Sequence, residues 1–198
     1  NKVNIHFVRQ KEQLGLGHAV LQSRSFIGNE PFALLLGDDV YVGNDNKPVL
    51  KQLIDAYDDE LSSVIGMIYV NEDEVSKLGI CDFDTTEVSK THKLIGVQEK
   101  PALAEAKSRY AIGGRYILSP TIFKYLDSQE KGNANEIQLT DAILRMMSEE
   151  AVYGYEIDGR RYDIGSRVGY IDAILDFALR RDDLKNEVLE LIKSKISN

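Results

Sequence analysis

FALLLGDD, residues 32–39, joins an unbroken run of buried-type residues to a glycine and two carboxylates. Five residues from Phe32 to Leu36 without polar alternation are the pattern of a central strand in a parallel sheet covered on both faces. In open α/β sheets, ligands gather beyond the carboxyl ends of the strands. Gly37, Asp38 and Asp39 stand at that end, and carboxylate oxygens there suit a hard divalent cation, magnesium first. The same residues also suit a turn or a cap, and the stretch alone does not choose between these readings.

Working outward, Val3 to Val8 (VNIHFV) reads as a short strand, followed by the loop KEQLGLGH and a helix from His18 to Phe26. Gly15 and Gly17 permit close backbone approach, and Gln10 offers an amide to a ligand's edge, although paired glycines before a helix also make an ordinary turn. Downstream, a loop of Gly43, Asn44, Asp45 and Asn46 precedes a helix over 47–60, with Val49, Leu50, Leu53, Ile54 and Tyr57 on one stripe. SSVIGMIYV, Ser62 to Val70, is a second buried-type strand. Strand and helix alternate through this half, which predicts βαβ units and a doubly wound parallel sheet.

The second half changes character. Strands are expected at Gly79 to Asp84, Lys93 to Glu99 and Tyr110 to Leu118, with the turn-rich DTTEVSKTH between the first two, so the sheet should continue as a mixed or antiparallel extension. Ser119-Pro120 reads as the cap and first residue of a helix through Leu126, KGNAN as a loop, and Asn135 as the cap of a helix over 136–149. Ala151 to Ile157 and Arg160 to Ile164 read as two strands turning at Asp158-Gly159. From Ser166 onward the pattern is helical. Residues 182–198 close the chain as an amphipathic helix, with Leu184, Val188, Leu191 and Ile192 on one face, suited to its own domain or to a second subunit.

A chain of 198 residues suits one domain and buries roughly 70% of the surface exposed on unfolding. Cys81 is the only cysteine, which excludes an internal disulfide and a multi-cysteine zinc site and points to a reducing, cytoplasmic setting. A net charge of −8 with scattered basic residues argues against nucleic acid or an anionic membrane as partner. No apolar run approaches the ~20 residues of a membrane span.

Three further constellations carry chemistry. Glu99-Lys100-Pro101 ends a strand with a carboxylate for sugar hydroxyls and an ammonium for a phosphate, or with an exposed ion pair. Gly113 and Gly114 interrupt the strand AIGGRY, as a bulge or a close ligand approach requires. Tyr162-Asp163-Ile164-Gly165 repeats the acidic strand end, or supplies a helix cap. Two aspartates for one cation and a lysine for a phosphate are the equipment of phosphoryl or nucleotidyl transfer. No Ser/His/Asp or Cys/His nucleophile set is present, and His6, His18 and His92 lack metal-ligand spacing.

RQKEQLGLGHAV, FALLLGDD, VQEKP, AIGGRYILSPTIF, NEIQLTDAI and RYDIGSRVGYIDAI, taken together, resemble the sugar-nucleotidyltransferase family in its bacterial UTP:glucose-1-phosphate uridylyltransferase form. The match runs from Phe7 to Leu179 in the family's order. It implies a Rossmann-like nucleotidyltransferase domain with a central mixed sheet flanked by helices. The implied reaction is magnesium-dependent transfer of UMP from UTP to α-D-glucose 1-phosphate, by a homo-oligomer.

By the resemblance, Gln10 reads the uracil edge and the Gly15 backbone lies against the base. Asp38 and Asp163 hold magnesium, Glu99 and Gly114 bind the glucose hydroxyls, Lys100 takes the sugar phosphate and Gly79 faces the sugar. Glu136 either joins them or, as a helix-start glutamate, satisfies backbone donors. Leu78 and Gly113 depart from the family, which commonly has a tyrosine and a larger apolar residue there. The family's N-terminal strand and GxGTR triphosphate loop have no counterpart in the sequence, so the chain is expected to correspond to the last two thirds of such an enzyme. A non-catalytic nucleotide-sugar-binding module on the same fold is the alternative expectation.

Overall fold

The computed structural model describes residues 3–84, 86, 88–128 and 136–196. The KGNAN loop and the proposed Asn135 cap therefore lie outside the described residues. The chain packs as two compact units, Asn1–Leu34 with Leu50–Ile157, and Leu35–Val49 with Asp158–Asn198.

The larger unit holds helices α1 (Leu16–Leu21) and α2 (Arg24–Ile27), then strand β1 (Phe32–Leu35), at whose last residue the chain enters the smaller unit. The smaller unit begins with β2 (Asp39–Gly43) and a 3₁₀ turn at Asn44–Asn46. Back in the larger unit follow α3 (Val49–Glu60), β3 (Ser63–Tyr69), α4 (Glu72–Val75), β4 (Gly79–Phe83), β5 (Thr91–Glu99), β6 (Tyr110–Leu118), α5 (Ile122–Asp127), α6 (Leu139–Met146) and β7 (Val152–Glu156). The smaller unit closes with β8 (Gly159–Asp163), α7 (Arg167–Leu179) and α8 (Lys185–Ile196).

The larger unit is built on a six-stranded sheet of order β1-β6-β3-β7-β5-β4. The β3–β7 pair is parallel, whereas β3–β6, β4–β5 and β5–β7 are antiparallel, so the sheet is mixed, as the second half of the sequence indicates. A wholly parallel first half is not found: β6 lies between β1 and β3. The core gathers Leu53 of α3, Val64, Ile65 and Met67 of β3, Leu118 of β6, Ile122 and Leu126 of α5, and Ile143 and Met146 of α6, all essentially without exposed surface. Strand β5 alternates, burying His92 and Leu94 while Lys93 and Ile95 face out, the period-2 pattern of a half-covered strand. Burial pushes the Cys81 thiol up to about 12, which fits its place in strand packing.

Several expectations are corrected. Val3 to Val8 forms no strand, and Val3, Ile5, Phe7 and Val8 are exposed. Among the described residues strand β1 is an edge strand, with alternating half-buried and exposed residues, because only β6 flanks it. The hairpin expected at Asp158-Gly159 does not form: β7 already has β3 and β5 on its two sides, and β8 pairs antiparallel with β2. Ser119-Pro120 does not begin the helix that follows. The Ser119 hydroxyl donates to Glu150 Oε1 (2.6 Å), and α5 starts at Ile122. The helix expected from Glu136 starts at Leu139 with Gln138 as its cap, and the C-terminal helical run breaks in two between Leu179 and Lys185. Among the described residues no helix is long and apolar enough to cross a membrane.

Candidate active site

In the smaller unit, β2 and β8 form a two-stranded ribbon with Asp39 opposite Asp163 and Gly43 opposite Gly159. The Ile164 N–H donates to the Asp38 carbonyl at 2.8 Å, so the ladder runs past the strand ends and brings Asp38 to Asp163. A methyl group on Gly165 would lie 3.2 Å from Asp163 Oδ1 and 3.3 Å from Asp38 Oδ2. Both carboxylates thus border the space that Gly165 leaves open, and both residues are exposed.

Neighbouring Asp39 does different work. It is 7% exposed and accepts from the Arg161 guanidinium, which sits diagonally across the ribbon. Burial pulls the Arg161 pKa down, but the adjoining Asp39 carboxylate outweighs it and the net shift is upward. Asp163 is not the helix cap. Ser166 caps α7 by accepting from the Gly169 N–H at 3.0 Å, while Asp163 Oδ1 accepts from the Gly165 N–H at 3.1 Å in a local turn. A side chain at Gly169 would lie 2.0 Å from the Asp163 carbonyl, so glycine there lets α7 start hard against the aspartate's backbone.

In the larger unit, Glu99 ends β5, and with the following Lys100 it lines a cavity of about 520 Å³ that Glu136, Gln138 and Asp141 also line. Lys100 takes a left-handed backbone, φ +46°, directly before Pro101, and its Nζ lies 3.4 Å from Glu99 Oε1. A non-glycine residue in that conformation is strained by about 1–3 kcal/mol, a feature concentrated at functional sites. The other Glu99 oxygen, Oε2, accepts from the Thr140 hydroxyl at 2.6 Å. Glu136 lies three residues before the start of α6, whose cap is Gln138, and accepts from Gln138 Nε2 at 2.8 Å. Burial, and then the charge of Glu99, hold the Asp141 carboxyl above its ordinary range.

The Gln10–Gly17 loop is strapped to the segment carrying Glu136: Ile137 N–H donates to Leu14 O (2.7 Å), and Gly17 N–H to Ile137 O (2.9 Å). Gly15, φ +91°, has no room for a side chain, which would meet Glu136 Cβ and Ile137 O at 2.9 Å. The Gln10 amide nitrogen donates to Gly15 O (3.1 Å) and lies 2.9 Å from His18 Nδ1. Gly79 pairs across from Glu99 and is buried. Gly114, φ +67°, lies where the β3–β6 register shifts, which makes the double glycine a bulge. The structure therefore gathers Gln10, Gly15, Glu136, Glu99, Lys100 and Gly79 in one unit, and Asp38 with Asp163 in the other. Thr140, Gln138, Asp141 and Arg161 were missed in the sequence. Thr140 and Asp141 sit inside NEIQLTDAI, where adjacency to Glu136 was the available signal.

The nucleotidyl transferase family model matches residues 1–179. The chain is similar to a UTP–glucose-1-phosphate uridylyltransferase of Staphylococcus saprophyticus, 47% identical over 98% of this chain and 67% of that protein. A solved UDP-glucose pyrophosphorylase complexed with UDP-glucose superposes with a TM-score of 0.84 at 39% identity, covering 89% of this chain and 66% of that one. A UTP-bound enzyme of the same kind from Acinetobacter baumannii gives a TM-score of 0.84 at 34% identity over 93% of this chain and 64% of its own. The chain thus spans about two thirds of the length of these relatives. With a mixed sheet of this order and a match over 179 residues, the chain belongs to the nucleotidyl transferase family.

Proposed function

We propose that the protein carrying this chain transfers UMP from UTP to α-D-glucose 1-phosphate, releasing pyrophosphate and forming UDP-glucose. The observation that carries the reading is the Glu99–Lys100 pair lining the cavity: a hydroxyl acceptor beside a cation presented on a strained backbone. Support comes from the relatives, one named for UTP and glucose 1-phosphate and two solved with UDP-glucose or UTP.

In this reading Lys100 Nζ binds the sugar phosphate, Glu99 and the Gly114 backbone take hexose hydroxyls, and Glu136 contributes an acceptor. The Gln10 amide reads the uracil edge, and the Gly15 backbone lies against the base. A phosphate oxygen of glucose 1-phosphate attacks the α-phosphorus of UTP in line. The bond from that phosphorus to the bridging oxygen breaks, and pyrophosphate departs without a covalent enzyme intermediate.

Asp38 and Asp163 fit magnesium: both are exposed carboxylates bordering one open space, and magnesium is commonly held by one or two carboxylates with water and substrate phosphates completing its shell. Bound there, magnesium would supply charge neutralisation at the phosphates. Self-association is part of the proposal, supported by apolar residues that α7 and α8 leave exposed, Val168 and Ile171 on one and Leu191 on the other.

The test uses the gene product at its natural length. Asp38→Asn and Asp163→Asn should each lower kcat by about 10²-fold or more with an unchanged melt, as for loss of one preorganised charge-stabilising group. Lys100→Ala should raise KM for glucose 1-phosphate much more than for UTP. Normal turnover in either aspartate variant, or equal losses for both substrates on removing Lys100, would refute the assignment.

A further inference from the structure

Thr140 has no part in the roles above, yet it is 7% exposed and its hydroxyl donates to Glu99 Oε2 at 2.6 Å. We propose that Thr140 is the positioning residue for Glu99, fixing which carboxylate oxygen meets the hexose; this rests on the functional reading above.

Glu99 has two competing attractions. Lys100 Nζ stands 3.4 Å from Oε1, longer than a good charge-assisted hydrogen bond. A free glutamate side chain would rotate to close that gap, and both groups would then be spent on each other, the carboxylate lost to sugar hydroxyls and the ammonium to phosphate. Thr140 opposes this by holding Oε2. Its donor also offsets the repulsion between Glu99 and Asp141, two carboxylates that share the cavity.

The seat of the pair is Gly79. It lies opposite Glu99 in the β4–β5 ladder, and a methyl group there would stand 3.3 Å from Thr140 Oγ1, 3.4 Å from Glu99 Oε2 and 2.9 Å from Ile112 Cδ1. Glycine at 79 thus gives the threonine–glutamate hydrogen bond its room, a role distinct from touching the sugar. Threonine is suited to the task because its β-branched side chain has few rotamers and, once buried, delivers the hydroxyl in one direction. With Oε2 occupied, Oε1 is the oxygen left to accept from the hexose.

The experiment compares parent, Thr140→Val, Thr140→Ser and Glu99→Gln in the natural-length protein, with UTP, glucose 1-phosphate and the 2-, 3-, 4- and 6-deoxy analogues. Glu99→Gln identifies the hydroxyl whose deletion ceases to matter. Thr140→Val should raise KM for glucose 1-phosphate about tenfold or more, in line with loss of a hydrogen bond to a charged group, while KM for UTP and kcat change far less. It should also flatten the deoxy penalty at that same hydroxyl, and Thr140→Ser should restore both. Thr140→Ala carries the same test if the valine variant lacks a cooperative melt. Equal losses for both substrates, failure of serine to rescue, or a full deoxy penalty in Thr140→Val would overturn the proposal. A parent that turns over no hexose 1-phosphate would instead remove the functional reading, before any variant is made.

Discussion

Lys100 combines a backbone conformation natural to glycine with a side chain suited to phosphate. Its φ of +46° before Pro101 is doubly disfavoured, because left-handed backbone crowds Cβ and proline restricts the residue it follows. Lys100→Gly should therefore raise stability by roughly 1 kcal/mol while weakening glucose 1-phosphate, read as a higher denaturation midpoint with a raised KM. A lower midpoint would show that the strain is not real. At this scale the sequence is informative about residue type and poor about direction. The two carboxylates of GDD are plain in the primary structure, but only the pairing of β2 with β8 separates exposed Asp38 from Asp39, buried against Arg161. Partners separated by more than a hundred residues leave no local periodicity to read.

The β2–β8 ribbon is the element on which Asp38 and Asp163 depend, and its far end closes on Gly159. A side chain there would meet the Val42 carbonyl at 2.6 Å. Gly159→Ala should cost about 1–3 kcal/mol by overpacking and lower kcat along with stability, measured by thermal melt and turnover on the same preparation. An unaffected melt would mean that the ribbon yields freely. β8 is also tied to α7, where the Tyr162 hydroxyl donates to Asp176, and Arg180 and Arg160 join it. The Tyr162 hydrogen bond, and after it that of Arg180, hold the Asp176 carboxyl below its ordinary value of 3.8. A depressed folded-state pKa gives stability that is fully present above the unfolded value and fades as pH falls through the folded one. Asp176→Asn should accordingly be less stable than the parent at pH 6, and the gap should narrow as pH falls below the ordinary carboxylate value and through the depressed folded-state one. A gap independent of pH would assign the loss to packing. The buried cores of β3 and β6 were legible because their apolar runs are local. The fate of β8 was not, since Asp158-Gly159 has hairpin chemistry and only the occupied flanks of β7 exclude that pairing.

At the scale of the whole chain, Val3, Ile5 and Phe7 are 78%, 72% and 94% exposed, and edge strand β1 leaves Leu35 46% exposed. An edge strand and clustered apolar residues in water favour association. The sequence contains no GxGTR loop of the kind that would hold a triphosphate, and Lys100 is assigned to the sugar phosphate. The 198-residue chain by itself should therefore self-associate, bind UTP no tighter than about 1 mM, the weak end of specific binding, and release no pyrophosphate above background. Supplying an N-terminal segment with a GxGTR loop, of the kind the family resemblance implies, should restore turnover whether fused or added as a separate chain. Light scattering, calorimetric titration with UTP and a pyrophosphate assay with Asp38→Asn as contamination control read the three expectations. Robust pyrophosphate release by the 198 residues alone would show that the triphosphate is held by groups other than those assigned, and would return Lys100 and the Gln10–Gly17 loop to consideration for that role.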